Sequence, residues 1–204
     1  MNDRSIPYYH TIMRMDAPVS GSFTLPDGFT ADGYREGDMR AWAEMEVQAG
    51  DFKTLEAAEK CFAERYLTEP ELLRDSMVMI RDPAGQGVSC CIAWHHLRKG
   101  ASIPSLEWLV TREGYEGRGL ARATAALIVR KFAERGVFPV YLHTQPWSYK
   151  AIWLYHEFGF RLALNDTFHV FENQVRQALP VLETLMPKDK YERIVSDMVT
   201  DAGF

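Results

Sequence analysis

The stretch Leu106 to Thr124, LEWLVTREGYEGRGLARAT, constrains this chain more than any other. Leu106, Trp108 and Val110 share one face of a period-two pattern, with Glu107 and Leu109 on the other, which predicts a strand. Beyond a polar turn, Leu120, Thr124, Leu127, Ile128 and Phe132 recur at helical spacing, and Gly117-Arg118-Gly119-Leu120-Ala121 opens that helix. Glycines keep side chains out of a ligand's path, and the first N–H groups of a helix are unpaired donors at the positive end of its dipole. Strand, glycine turn and helix together predict an anion site, most often one for phosphate.

Two phosphate motifs fail here. A Walker-type loop needs Lys and then Ser or Thr after its second glycine, where Leu120 and Ala121 follow Gly119. The dinucleotide fingerprint has its first two glycines in Gly117 and Gly119, but Arg122 stands at the third position and no clear acid follows the helix. The glycines also suit a turn that merely requires positive φ, so the rest of the chain has to separate the readings.

A chain of 204 residues, 47% apolar and 25% charged, suits one soluble globular domain with extensions. We expect a core over residues 23–172, an extension at 1–22 and a helical extension at 173–204. A net charge of −5 argues against a general nucleic-acid or anionic-membrane surface and leaves room for a local basic pocket. Cys61, Cys90 and Cys91 form an odd set whose adjacent pair faces opposite ways on a strand, which points to a reducing compartment. No stretch reads as a signal peptide or a membrane span, so a cytoplasmic location is expected. His95 and His96 also face opposite ways, and nothing completes a ligand set, so no metal is expected.

In chain order, strands are expected at Tyr8 to Met15 and Phe29 to Gly37, separated by turn formers at Asp16, Pro18, Gly21 and Ser22. Asp38 is the expected cap of a helix that stops at Gly50, a second helix runs from Leu55 to Tyr66, and a short one follows Glu69-Pro70. Ser76 to Ile80 and Gly87 to His95 read as a hairpin around Asp82-Pro83-Ala84-Gly85. After the glycine-loop helix come a strand at Val137 to His143, a helix from Tyr149 to Phe158 capped by Ser148 and closed by Gly159, and strand-like runs at Phe160 to Leu164 and Phe168 to Phe171. Two helices split at Pro187 complete an α+β layout.

Two stretches carry a specific resemblance. Trp108-Leu109-Val110 followed by Gly117-Arg118-Gly119-Leu120-Ala121 resembles the pyrophosphate-binding motif of the GCN5-related N-acetyltransferase (GNAT) superfamily. Ala151-Ile152-Trp153-Leu154-Tyr155-His156-Glu157-Phe158-Gly159-Phe160 resembles the ending of that superfamily's second coenzyme-binding motif, A-x-x-L-Y-x-x-x-G-F. The resemblance implies a mixed, mostly antiparallel central sheet flanked by helices on both faces, with acetyl-CoA as acyl donor and an amine as acceptor. It implies cofactor contacts from Trp108, Leu109, Val110, Gly117, Arg118, Gly119, Leu120, Ala121 and Arg122. Two positions depart from the pattern: Glu116 stands where Arg or Gln is usual, and Ser148 where Asn is common. A carboxylate beside a pyrophosphate is repelled by about 1 kcal/mol when solvated, so Glu116 is expected to face solvent.

Amine attack on a thioester needs a neutral amine, a stabilised oxyanion and a proton for the departing thiolate. Backbone donors near Leu109 and Val110, where the superfamily's strand splays, are implied for the oxyanion. Tyr155 is the candidate acid, being a neutral hydroxyl donor at pH 7, against the plainer reading of a packed core tyrosine. Glu107 is the candidate base, against that of a salt-bridged strand carboxylate, and His143 is the alternative base. The contrasting possibility is a non-catalytic acyl-CoA-binding or interaction module of the same fold, with the C-terminal helices making a homodimer.

Overall fold

The computed structural model describes residues 3, 5–19, 23–98, 100–168 and 170–200. Gly21 and Ser22 of the expected turn, His169 in the run Phe168 to Phe171, and residues 201–204 of the expected extension lie outside them. The strands and helices run β1 (Thr11–Met15), β2 (Thr30–Asp32), α1 (Asp38–Ala49), α2 (Leu55–Tyr66), α3 (Pro70–Ser76), β3 (Met77–Arg81), β4 (Gly87–Arg98) and β5 (Ala101–Thr111). There follow α4 (Leu120–Arg135), β6 (Val140–Thr144), α5 (Tyr149–Glu157), β7 (Arg161–Leu162), α6 (Val175–Leu185) and α7 (Lys188–Ser196). The class is α+β, with mixed and mostly antiparallel strand pairing. No helix among the described residues is long and apolar enough to cross a membrane.

The chain forms two compact units. The first comprises Ser22–Trp94 and Leu106–Lys131. In it β2 pairs antiparallel with β3, β3 with β4, and β4 lies beside β5. Its core gathers Trp42 and Met45 of α1, Phe62 and Tyr66 of α2, and Met77, Met79, Cys90 and Ile92 of the strands. Each fully buried large side chain of this kind contributes roughly 1.5–3 kcal/mol. Cys90 and Cys91 are both buried, as small core residues should be.

The first turn of α1 differs from expectation. Asp38 is the first helical residue rather than the cap, which is Gly37 at φ 93°. Asp38 is buried and accepts from both the Arg35 N–H at 2.7 Å and the Arg81 guanidinium at 2.8 Å. Ion pairing between α1 and β3 has taken the side chain that would otherwise cap locally. The expected strand at Phe29 to Gly37 is correspondingly reduced to β2.

The second unit comprises Asn2–Gly21, His95–Ser105 and Phe132–Phe204. Here Ser105 of β5 pairs parallel with Tyr141 of β6, β6 pairs antiparallel with β1, and β1 with β7. Its apolar centre includes Ile12, Ile103, Tyr141, Ala163 and Phe168. The helix α5 ends at Gly159, whose φ of 101° and close approach to the Ala17 carbonyl leave no room for a Cβ. The tail splits as expected into α6 and α7 at Pro187, where the proline precedes the first turn of α7.

Candidate functional site

The glycine loop lies wholly in the first unit. Gly114, Gly117 and Gly119 have φ of 83°, 74° and 81°. A Cβ built at any of the three meets nothing within 4 Å, so these glycines serve backbone direction and an open concavity rather than internal packing. The first helical bond of α4 runs from the Ala123 N–H to the Gly119 carbonyl at 3.0 Å. Leu120 and Ala121 therefore aim their N–H groups out of the helix start, where the dipole is positive. This is the donor set that a diphosphate needs, and the open loop leaves it accessible.

Tyr115 and two hydroxyls fix that loop in place. Tyr115 donates to the Asp82 carboxylate at 2.6 Å, and this bond, with the Gln86 and Ala84 N–H groups on the same carboxylate, holds Asp82 below its usual range. Thr124 binds the Leu120 carbonyl at 2.9 Å and meets the Ser89 hydroxyl at 2.9 Å, while Ser89 donates to the Val110 carbonyl at 3.0 Å. Arg118 lies over the Tyr115 ring at 4.9 Å and donates to the Gly114 carbonyl. Glu116 is exposed and accepts from the Gly114 N–H at 2.7 Å. The unwelcome carboxylate is thereby turned back onto its own loop.

The strand feeding the loop breaks its alternation at Trp108, whose φ is 57°, the positive value among non-glycine residues described. Such a residue inside a strand reorients its neighbouring peptides. Glu107, Trp108 and Leu109 are all half-buried as a result, rather than strictly alternating. The Trp108 ring packs edge-on against Trp42 at 5.5 Å and lies tilted against Phe52 at 5.6 Å. Trp108 thus contributes core packing by its ring, and only its backbone belongs with Leu109 and Val110.

Glu107 is gripped from α2. Arg65 Nε and Nη2 donate to its two oxygens at 2.7 and 2.6 Å, and the Tyr66 hydroxyl donates at 2.5 Å. Burial works against the Arg65 charge, but the Glu107 carboxylate outweighs it and holds Arg65 above its ordinary value. Burial, then the same carboxylate, pushes the Tyr66 hydroxyl well up, so it stays a donor. Beside this group lies an open surface hollow of about 590 Å³ lined by Ala57, Lys60, Cys61, Glu64 and Arg65, one face of α2, and by Trp94 of β4. Arg65 and Tyr66 went unnoticed in the sequence because a basic residue ending a helix is already explained by the dipole.

The remaining candidates lie in the second unit. Tyr155 is 8% exposed on α5, with Phe160 6.0 Å away edge-on. Ser148 does occupy the cap position of α5, yet its hydroxyl makes no capping bond and accepts from the Gln145 amide at 2.9 Å instead. The 3₁₀ turn Pro146–Ser148 before α5 is the reason, since it brings Gln145 within reach. His143 meets His10 at 2.8 Å and stacks on Phe171 at 3.9 Å. Burial, with His10 beside it, pushes His143 down to about 4, so it is neutral and weakly basic at pH 7. Among the described residues no group of three or more His, Cys, Asp or Glu is placed to hold a metal ion.

The family model for the acetyltransferase (GNAT) family matches residues 55–160. No curated protein sequence matches significantly. Among solved structures, a GCN5-related N-acetyltransferase from Sphaerobacter thermophilus aligns at TM-score 0.50 and 22% identity, over 69% of this chain and 43% of that one. An acetyltransferase from the GNAT family of Colwellia psychrerythraea aligns at 0.57 and 10% identity, over 79% of this chain and 55% of that one. A putative GNAT-family acetyltransferase from Novosphingobium aromaticivorans aligns at 0.50 and 19% identity, over 77% and 61%. The chain thus spans less than two thirds of the length of each, and at these identities the likeness is one of fold.

Proposed function

Because this chain belongs to the GNAT acetyltransferase family, we propose that it is an acyl-CoA-dependent N-acyltransferase, moving an acetyl group from acetyl-CoA directly to a primary amine. The observation that carries this reading is the open loop Gly114 to Gly119 running into the unpaired Leu120 and Ala121 N–H groups at the start of α4. In it Gly117, Arg118, Gly119, Leu120, Ala121 and Arg122 hold the diphosphate of the donor, chiefly through backbone N–H groups. Acetyl-CoA supplies the activated acyl group.

The chain's own residues do the rest. Trp108, by its left-handed backbone, turns the peptides of Leu109 and Val110 toward the reacting oxygen, where fixed N–H donors stabilise developing charge. Glu107 draws in the acceptor ammonium and takes its proton, held in place by Arg65 and Tyr66. Tyr155 donates the proton that the departing thiolate requires. His143 is the weaker base candidate, since its ring is half-buried against Phe171 and depressed to about 4.

Melting with and without acetyl-CoA, joined to a thiol-release assay over a panel of amines, tests the reading. Saturating acetyl-CoA stabilises the protein by about 2.7 kcal/mol at a hundred times its dissociation constant, and thiol release depends on added amine. Tyr155→Phe and Glu107→Gln each lower kcat, by a factor on the order of 10²–10⁴ if they act as acid and base. A thermal shift without amine-dependent release would favour a non-catalytic acyl-CoA-binding module. No shift with any acyl-CoA would sink both.

A further inference from the structure

Three side chains from two distant segments converge in the second unit. β1 pairs Thr11 with Thr144 of β6, so the residues just before β1 run past the end of β6. His10 Nδ1 lies 2.8 Å from His143 Nε2, and the Tyr8 hydroxyl lies 3.2 Å from the first nitrogen and 3.5 Å from the second. Hydrogen bonds serve this triangle poorly. One N–H joins the two rings, and it uses the single lone pair of the accepting nitrogen. The hydroxyl is left with the two longer contacts.

A metal ion uses such a triangle fully, because it takes a lone pair from every corner. Around a tetrahedral ion with bonds of about 2.0–2.1 Å, neighbouring ligand atoms stand roughly 3.3 Å apart. The three sides of 2.8, 3.2 and 3.5 Å bracket that spacing. With two imidazoles and a phenol, the set differs from a group of three His, Cys, Asp or Glu. Its corners are braced from behind. Phe171 stacks on His143 at 3.9 Å and lies tilted against His10 at 5.0 Å, and Trp147 meets Tyr8 edge-on at 5.0 Å. The His10 backbone is fixed twice by Gln174, donating to its side-chain oxygen at 3.0 Å and accepting from its N–H at 2.7 Å. Tyr8 is 43% exposed, so the triangle has solvent on one side. We propose that His10 Nδ1, His143 Nε2 and Tyr8 Oη bind one Zn²⁺-class ion, with water as the fourth ligand. Each imidazole carries its proton on the other ring nitrogen, and binding sends the Tyr8 hydroxyl proton to solvent. Such nitrogen-rich donors suit Zn²⁺ and its first-row neighbours, whereas Mg²⁺ prefers an all-oxygen octahedron. The ion fastens the segment ahead of β1 to the end of β6.

Calorimetric titration and melting of the purified full chain, stripped of metal with a chelator, test this near neutral pH with Zn²⁺ and Mg²⁺ as probes. One Zn²⁺ binds per chain and raises the melting temperature, and Mg²⁺ does neither. His10→Phe and Tyr8→Phe each weaken Zn²⁺ binding by roughly tenfold or more, whereas His95→Gln leaves it unchanged. Co²⁺ gives the parent the strong visible absorption of a four-coordinate ion, and His10→Phe loses it. Both substitutions keep a ring in place, and melting without metal reads whether each variant folds; His10→Gln replaces His10→Phe if that one does not. Equal Zn²⁺ affinity in the parent and in either variant, or Mg²⁺ binding as tight as that of Zn²⁺, would overturn the proposal. So would a parent protein that binds no Zn²⁺ at micromolar concentration.

Discussion

Trp108 holds a backbone conformation that costs an ordinary L-residue roughly 1–2 kcal/mol, and its ring is what keeps it there. At φ 57° the chain needs a glycine by backbone criteria, while Trp42 and Phe52 need an aromatic ring at that place. The ring won. In an ordinary strand Gly is less stable than Ala by roughly 0.5–1 kcal/mol; at this position the order should invert. Both Trp108→Gly and Trp108→Ala lose the ring contacts, but the glycine variant also sheds the strain. Urea denaturation of the two proteins should therefore show Trp108→Gly the more stable by about 1 kcal/mol. An ordering of Ala above Gly would mean that the left-handed turn is not held at this residue in solution.

Elements whose cause is local could be read from the chain, and those whose cause is remote could not. The β3–β4 hairpin announced itself through Asp82-Pro83-Ala84-Gly85, α4 through its apolar period, α5 through Gly159, and the break between α6 and α7 through Pro187. The glycine loop of the candidate site was legible for the same reason. The pair Arg65–Glu107 was not, because its members stand 42 residues apart and neither α2 nor β5 carries a local sign of the other. Nor was the Asp38–Arg81 pair, which displaced the expected cap. The hydroxyl chain between α4 and the strands is a third remote contact: Thr124 joins Ser89, and Ser89 reaches the Val110 carbonyl. It seats the start of α4 against β4 and β5, and so the loop above it. Thr124→Val keeps the shape and leaves Ser89 its other partners, so denaturation should show a loss of only about 1 kcal/mol. A cost of 3 kcal/mol or more would show that the hydroxyl chain acts as one unit.

For the whole molecule, two titrating groups, the half-buried His143 and the wholly buried Glu46, give stability opposite slopes with pH. His143 has its folded pKa depressed to about 4 from 6.5 by burial beside His10. Below pH 6.5 the unfolded chain binds the proton first, so the stability that His143 provides is complete above that value and is lost as pH falls toward 4. The full span amounts to about 3 kcal/mol. Glu46 runs the other way. Its carboxyl is wholly buried in α1, Oε1 finds no partner, and burial, reinforced by Asp51, pushes its pKa well above 4.5. The unfolded chain ionises first as pH rises past 4.5, so the stability present below that value is lost on the alkaline side, until the folded carboxyl itself ionises. Substitution should separate the two arms. His143→Phe keeps the stack on Phe171 and flattens the fall between pH 6.5 and 4, leaving pH 8 little changed. Glu46→Gln mimics the protonated carboxyl, leaves stability near pH 4 as it was, and raises it at pH 8 by about 1–3 kcal/mol, the usual cost of an uncompensated buried polar group. Urea midpoints at pH 4.5, 6 and 8 for the three proteins read both arms. A Glu46→Gln protein less stable than the parent at pH 8 would mean that the carboxylate is ionised and held by partners in the folded state.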